Sequence, residues 1–193
     1  LRSLLTDQMR TAGDLGLLPE REMHARAAGS TPYAIATDPR LNPLDELRRA
    51  ADLANQMDPR NLAALAGLLS ATDSAVRWWG ALGLGALGAG AAPAKEALLA
   101  ALDDVSPDVR IAAAETIMSV GESGRALPIL AAALRSDDIF ARFSALNAVA
   151  RLGSRARPLL PAIRAAKLVA PGQKDLSDYV GRLADYLPGR IER

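Results

Sequence analysis

One pattern of apolar, small and charged positions occurs three times in the second half of the chain. It covers residues 73–88 and returns over 107–121 and 141–153, with an arginine near each start and a glycine at each end. The arginines stand at positions 77, 110 and 142, so the period is 33 and then 32 residues. A period of this length predicts an array of stacked helical units.

Each unit reads as a hairpin of two helices. The second helices begin near the arginines and end at Gly88, Gly121 and Gly153, where a left-handed backbone conformation costs glycine least. Helical spacing of apolar residues predicts the first helices over 61–70, 93–102, 127–134 and 159–168, with a less regular helix over 176–187.

Small residues mark where the second helices approach their neighbours closely. Gly80, Ala113 and Ala145 occupy the same place in the three units. Larger apolar residues follow one and two turns later, as helical packing requires. The predicted seam residues are Leu84, Ile117, Val149, Leu87, Val120 and Leu152.

The first third of the chain lacks this period. Helical spacing predicts short helices over 1–12, 20–28 and 44–57, and three prolines in residues 30–43 indicate a connector with at most one helical turn. We therefore expect a helical N-terminal segment and connector over 1–58 and a repeat array over 59–193. The units of the array are predicted at 59–92, 93–125 and 126–157, with an irregular C-terminal cap at 158–193.

Composition favours a fold made only of helices. Half of the residues are hydrophobic but only 4% are aromatic. Runs of Val, Ile and Thr, which are typical of strands, are absent. The predicted fold class is all-α, an α-solenoid of helical hairpins preceded by a short helical N-terminal segment.

Charge and residue usage argue against several functions. The 23 basic and 22 acidic residues give a net charge of +1, so we expect no nucleic-acid partner. The chain has no cysteine, which excludes disulfides and cysteine-ligated zinc. Residues 78–94, the most apolar stretch, fall short of a membrane span. Because the chain starts with Leu1, we expect it to be a segment of a longer polypeptide.

The repeated arginines have two interpretations. They either bind an acidic partner or tie the units together as a structural ladder. We favour the ladder, because the units of such arrays are held by contacts between nearest neighbours. The residues of the ladder are Arg77, Arg110, Arg142, Asp73 and Asp108.

The residue after each arginine is apolar in all three units. Helical geometry places this residue and the next one on the inner, concave face of the array. These side chains either pack against the first helices or form a docking strip for a protein, and both alternatives stay open. The candidate strip consists of Trp78, Trp79, Ile111, Glu115, Phe143 and Asn147.

The sequence contains no catalytic constellation. Gly83, Gly85 and Gly88 match G-x-G-x-x-G, but no strand precedes them and the last glycine is a helix stop, so we expect no dinucleotide site. His24, the only histidine, is interpreted as a surface or connector residue. We therefore predict no catalytic residue, no metal and no cofactor.

The helix pairs resemble HEAT repeats. The matching features are the Val-Arg pairs at 76–77 and 109–110, small pairs such as Ala113-Ala114, and endings such as Leu87-Gly88. The third unit departs from the pattern by placing Ala141 where the valine belongs. The resemblance implies an α-solenoid.

The N-terminal third resembles the C-terminal extension of certain bacterial sulfatases. The resemblance rests on residues 13–20, 29–36 and 48–54, followed by 76–80. In that family a catalytic domain precedes this connector and a HEAT-repeat tail. The resemblance implies a non-catalytic tail, because no segment of this chain matches the family's catalytic C/S-x-P-x-R motif. It also implies a periplasmic or secreted location.

Three functions are compatible with the sequence. The first is a non-catalytic scaffold or protein-interaction domain of a sulfatase-like hydrolase, whose partner is its own upstream catalytic domain or another protein. The second is a free-standing repeat protein that binds a protein segment on its concave face. The third is a HEAT-like nucleic-acid-binding or lyase-type enzyme, which the near-neutral charge and the missing cysteine disfavour.

Overall fold

The computed structural model describes residues 2–166 and 174–193. Within these residues the chain forms α-helices joined by short turns and 3-10 helices, with no strand, which confirms the all-α prediction. The N-terminal helices are α1 (Arg2–Ala12), α2 (Glu20–Arg26), α3 (Pro32–Ala36) and α4 (Leu44–Asn55). The following helices are α5 (Leu62–Leu68), α6 (Ser74–Ala86), α7 (Lys95–Ala101), α8 (Pro107–Ser119), α9 (Ala126–Leu134), α10 (Ile139–Leu152), α11 (Leu160–Ala165) and α12 (Lys174–Ile191).

The predicted helices correspond to observed ones with shifted ends. The first helix predicted over 93–102 begins only at Lys95, because Gly88–Ala94 forms a 3-10 helix that contains Pro93. The less regular helix predicted over 176–187 corresponds to α12, which is longer and runs as one continuous helix of 18 residues. Leu168, at the end of a predicted first helix, lies outside the described residues.

The second helices form a continuous row. α6 packs against α8, α8 against α10, and α10 against α12, while the odd-numbered helices from α5 to α11 pack on the row as the first helices. α4 packs against α6 in the same way, although it precedes the array predicted from residue 59. The division of the chain at residue 58 stays a prediction.

The small seam residues permit close contact between helices. A Cβ atom on Gly80 would lie 2.8 Å from the Leu68 Cβ and 3.0 Å from the Leu65 carbonyl oxygen, both on α5. Gly83 faces α5 and α4 in the same way, so this glycine of the G-x-G-x-x-G match has a packing role inside α6. The larger seam residues Leu84, Ile117 and Val149 are fully buried.

The glycines after the second helices have the predicted left-handed backbone. The φ angles are +56° at Gly88, +94° at Gly121 and +57° at Gly153. A residue with a side chain is strained in this conformation, so these three positions end α6, α8 and α10.

Each repeated arginine binds the backbone of the turn between the two helices of its hairpin. Arg77 donates to the carbonyl oxygens of Ala71 and Thr72 at 2.9 and 2.8 Å. Arg110 donates in the same way to Asp104 and Val105 at 2.6 and 3.1 Å, and Arg142 donates to the Ser136 carbonyl at 2.6 and 3.0 Å. The arginines therefore close the turn inside each hairpin.

Arg77 also reaches the next repeat. Its guanidinium donates two hydrogen bonds to the Asp104 carboxylate, at 2.6 and 2.8 Å, and both side chains are nearly buried. Asp73 has another role, since it accepts from the Ala75 and Val76 amides and caps α6. The interpretation of the five residues as one structural ladder stays a prediction.

The contribution of the Arg77–Asp104 pair is testable by removing the arginine. Arg77→Ala leaves a nearly buried carboxylate without its partner and should lower the free energy of unfolding by about 3 kcal/mol. Arg125→Ala is the matched control, because Arg125 forms an exposed ion pair with the neighbouring Asp103, and its loss should cost about 0–1 kcal/mol. Urea unfolding of both variants measures the difference, and equal losses would contradict a structural role for Arg77.

Candidate protein-binding groove

A cavity of about 170 Å³ lies between three successive second helices. These helices, α6, α8 and α10, contribute apolar side chains, carboxylates, an amide and a guanidinium to its walls. We call this feature the groove, and it is lined by Trp78, Leu82, Asp108, Ile111, Ala112, Glu115, Ser144, Asn147 and Arg151.

The structure brings four of the six residues of the candidate strip to the groove. They are Trp78, Ile111, Glu115 and Asn147. Phe143 does not line the groove and is half-buried against the main core. Binding of a protein by the candidate strip stays a prediction.

Trp79, the remaining residue of the candidate strip, faces the N-terminal segment. Its indole N–H donates to the Leu17 carbonyl oxygen at 2.9 Å, and its side chain packs against the apolar cluster that contains Leu18 and Val76. Successive residues of an α-helix point about 100° apart. Trp78 therefore faces the groove and Trp79 faces the N-terminal segment, although the two residues are adjacent in sequence.

The groove has an apolar end and a charged end. Trp78 contacts Trp79 edge to face, with ring centroids 5.0 Å apart, and Leu82 lies one helical turn further along α6. At the other end Arg151 donates two hydrogen bonds to Glu115, at 2.6 and 2.7 Å. These bonds raise the pKa of Arg151 above its ordinary value. They tie α8 to α10, yet 58% of the Arg151 side chain stays exposed.

Asp108 lies in the wall of the groove at the first turn of α8 and is almost completely buried. Only 3% of the residue is exposed, and its Oδ2 atom has no hydrogen-bond partner. Burial raises the pKa of this carboxyl to about 6, and the nearby charges of Glu22 and Asp138 act in the same direction. The guanidinium of Arg21, at 3.8 Å, opposes the shift.

The N-terminal helix α2 covers the edge where the second helices begin. Arg26 pairs with Asp73 at the start of α6, at 3.0 Å. The Ser106 hydroxyl, at the start of α8, donates to Glu22 at 2.9 Å. Arg21 pairs with Asp138, the cap of α10, at 2.6 Å. One short helix therefore contacts three repeats.

His24 adds an aromatic contact to this edge. Its ring stacks on Phe140 with centroids 4.5 Å apart and an angle of 20° between the planes. The sequence analysis interpreted His24 as a surface or connector residue, and it is exposed in the structure. Its position over the first turn of α10 was not predicted.

The contacts of α2 were not predicted, although the sequence contains a signal for them. Asp73, Ser106 and Asp138 each stand four residues before a repeated arginine, and all three are residue types that cap helices well. The sequence analysis paired Asp108 with Asp73, whereas Ser106 occupies the equivalent position before α8. Three equivalent polar positions indicate a regular edge, and the arginines of α2 are complementary to it.

The described residues give no sign of a metal site or a membrane span. Within residues 2–166 and 174–193 no group of three or more His, Asp or Glu side chains is placed to hold a metal ion. No helix in that part of the chain is both long enough and apolar enough to cross a bilayer.

Comparison with known proteins supports the repeat architecture. A family model described as HEAT repeats matches residues 42–117 and again 95–168, which together span more than half of the chain. No curated protein matches the chain. The resemblance to sulfatase extensions therefore has no support beyond the motifs that suggested it.

The raised pKa of Asp108 predicts a specific pH dependence of stability. Its carboxyl keeps a proton up to about pH 6 in the folded chain, against an ordinary pKa of 3.8. The folded state therefore binds more protons between these values, and stability falls as the pH rises through them. Ionisation of Asp108 should lower the unfolding free energy of the unmutated chain by about 1.4 kcal/mol between pH 5 and pH 8.

Asp108→Asn should remove that contribution. Urea unfolding at pH 5 and pH 8 should show a smaller loss of stability in the variant than in the parent. Asp137→Asn serves as the control, because Asp137 is exposed in the turn before α10 and its replacement should leave the loss unchanged. An identical pH dependence in the parent and Asp108→Asn would contradict the raised pKa.

Proposed function

This chain belongs to the HEAT-repeat family, and from that membership we propose that it is a non-catalytic scaffold that binds a protein segment in the groove. Helical repeat arrays present extended surfaces to their partners. The second helices α6, α8 and α10 form such a surface here, and the groove lies between them.

One observation carries this proposal. Trp78, half-buried, and Arg151, mostly exposed, both line the groove. Tryptophan and arginine are enriched among the residues that dominate protein interfaces, because they combine a large contact area with hydrogen-bonding groups. A groove with both residues is suited to a peptide that carries apolar and polar side chains.

The partner that fits has a defined chemistry. An apolar side chain of the partner packs against Trp78 and Leu82. The Asn147 amide and the Arg151 guanidinium then bind its backbone or a carboxylate. Because Glu115 already holds Arg151 in place, the guanidinium loses less conformational freedom on binding.

Binding is better supported than catalysis. His24 is the only histidine in the chain and does not line the groove. Ser144 therefore has no imidazole beside it to act as a base, and the remaining groove residues form no nucleophile pair of the usual kind.

A finer proposal concerns the parent protein. From the sequence motifs alone, we propose that the array is the non-catalytic C-terminal part of a sulfatase-like hydrolase and packs on that enzyme's catalytic domain. The gene sequence upstream tests this proposal. A C/S-x-P-x-R motif there would support it, and an upstream frame without the motif would contradict it.

A random peptide library displayed on phage tests the binding function. Panning on the full chain should enrich peptides that bind with micromolar Kd. Ser144→Gln, which fills the groove from α10, and Trp78→Ala should each weaken binding at least tenfold. Tyr33→Ala is the control, because Tyr33 is exposed on α3, and it should leave binding unchanged.

Two outcomes contradict the proposal. One is a selection that enriches no peptide above the level seen with an unrelated helical protein. The other is a set of peptides whose affinity is the same for the parent and for both groove variants. Circular dichroism and thermal unfolding establish that each variant is folded before its affinity is measured.

A further inference from the structure

The edge of the array beneath α2 presents one carboxylate from each of three successive repeats. The row consists of Asp73, Asp108 and Asp138, which lie at or near the starts of α6, α8 and α10. Because the repeats stack, these positions come together along one edge although they lie far apart in sequence. We call this feature the carboxylate row.

The helix α2 is complementary to the row in charge. Arg26 pairs with Asp73 at 3.0 Å, and Arg21 pairs with Asp138 at 2.6 Å and lies 3.8 Å from Asp108. Two arginines five positions apart thus serve three carboxylates on three repeats. The contacts of α2 therefore show that this edge binds a helix that carries two arginines.

The attachment of α2 is apolar at one side and polar at the other. Leu18, Met23 and Ala27 pack in an apolar cluster with residues of α4 and α6. Over α8 and α10 the contacts are the ion pairs of Arg21, the hydrogen bond of Glu22 and the stacking of His24. These contacts are charge-assisted hydrogen bonds, ion pairs and a ring stack, so another helix that carries the same groups at the same spacing can form them.

We propose that the carboxylate row is an interaction surface for arginine-bearing helices, and that α2 occupies it in cis until a partner helix with a similar arginine spacing displaces it. The partner is a short amphipathic helix with two arginines four or five residues apart and an aromatic or imidazole ring between them. Asp108 belongs both to the row and to the wall of the groove, but the variants that test the row change Arg21, Arg26 and Asp138, none of which lines the groove. The phage experiment and the experiment below therefore fail independently.

A peptide supplied in trans tests the proposal. The probe is a fluorescein-labelled synthetic peptide of residues 14–31, and the host is the full chain with Arg21→Ala and Arg26→Ala, which weakens the attachment of its own α2. Fluorescence anisotropy should show binding to this host at least tenfold tighter than to the parent chain. Adding Asp138→Asn to the host should weaken that binding at least tenfold.

The controls separate charge recognition from nonspecific contact. A peptide with glutamine at both arginine positions should bind neither protein. Asp137→Asn in the host, next to the row but exposed, should leave the affinity unchanged. If the double variant does not fold, the host with Arg21→Ala alone is used, because it keeps the Arg26 contacts to α6.

Three results would overturn the proposal. They are no binding to a folded host, equal affinity for the host and the parent, and equal affinity for the arginine and glutamine peptides. A parent chain that is dimeric in light scattering, and becomes monomeric in the double variant, would instead assign the surface to exchange of α2 between two copies.

Discussion

The repeat architecture depends on one contact between an arginine and the turn that precedes its helix. Carbonyl groups in a turn lie outside the helical hydrogen-bond pattern and need other donors, and in each hairpin the arginine near the start of the second helix supplies them. Arg77 and Arg110 do so with carbonyls five and six residues earlier in the chain. This spacing fixes the turn between the two helices and therefore the direction in which the second helix leaves. When every hairpin has the same turn, the second helices align in a row.

Alignment of the second helices has an electrostatic consequence. Caps at the start of one helix are favourable, because a carboxylate there accepts from backbone amides. Three starts along one edge also place a carboxyl where it is buried, and the pKa of Asp108 is raised to about 6, chiefly by burial and further by the charges of Glu22 and Asp138. Arg21 of the N-terminal helix opposes this shift, and Arg21 and Arg26 pair with Asp138 and Asp73. The segment before the array is thus part of the charge balance of the repeats.

Local features of the sequence predicted the array well, and contacts between distant segments were not predictable. Gly88 is a helix stop and Gly80 a close-packing position because of their own backbone and size, and both properties recur with the period. The position of α2 depends on residues 47 to 117 positions away in the chain, such as Asp73 and Asp138. The polar positions on the repeats recur with the period, but α2 itself has no repeat that marks where it docks. Only four of the six predicted strip residues line the groove, because the groove too is formed by contacts between distant segments. Helical geometry placed Trp78 and Trp79 together on the concave face, and only the fold reveals that Trp79 faces Leu17.

The central claim is that α2 lies across the repeats in solution, and the NMR spectrum of the histidine ring tests it most directly. His24 is the only histidine, so its two ring C–H signals need no assignment in an untagged chain. With the ring stacked 4.5 Å from Phe140, both signals should lie upfield of those of a solvent-exposed histidine and return to the exposed positions in Phe140→Leu. Signals at the exposed positions in the parent chain would contradict the docking of α2.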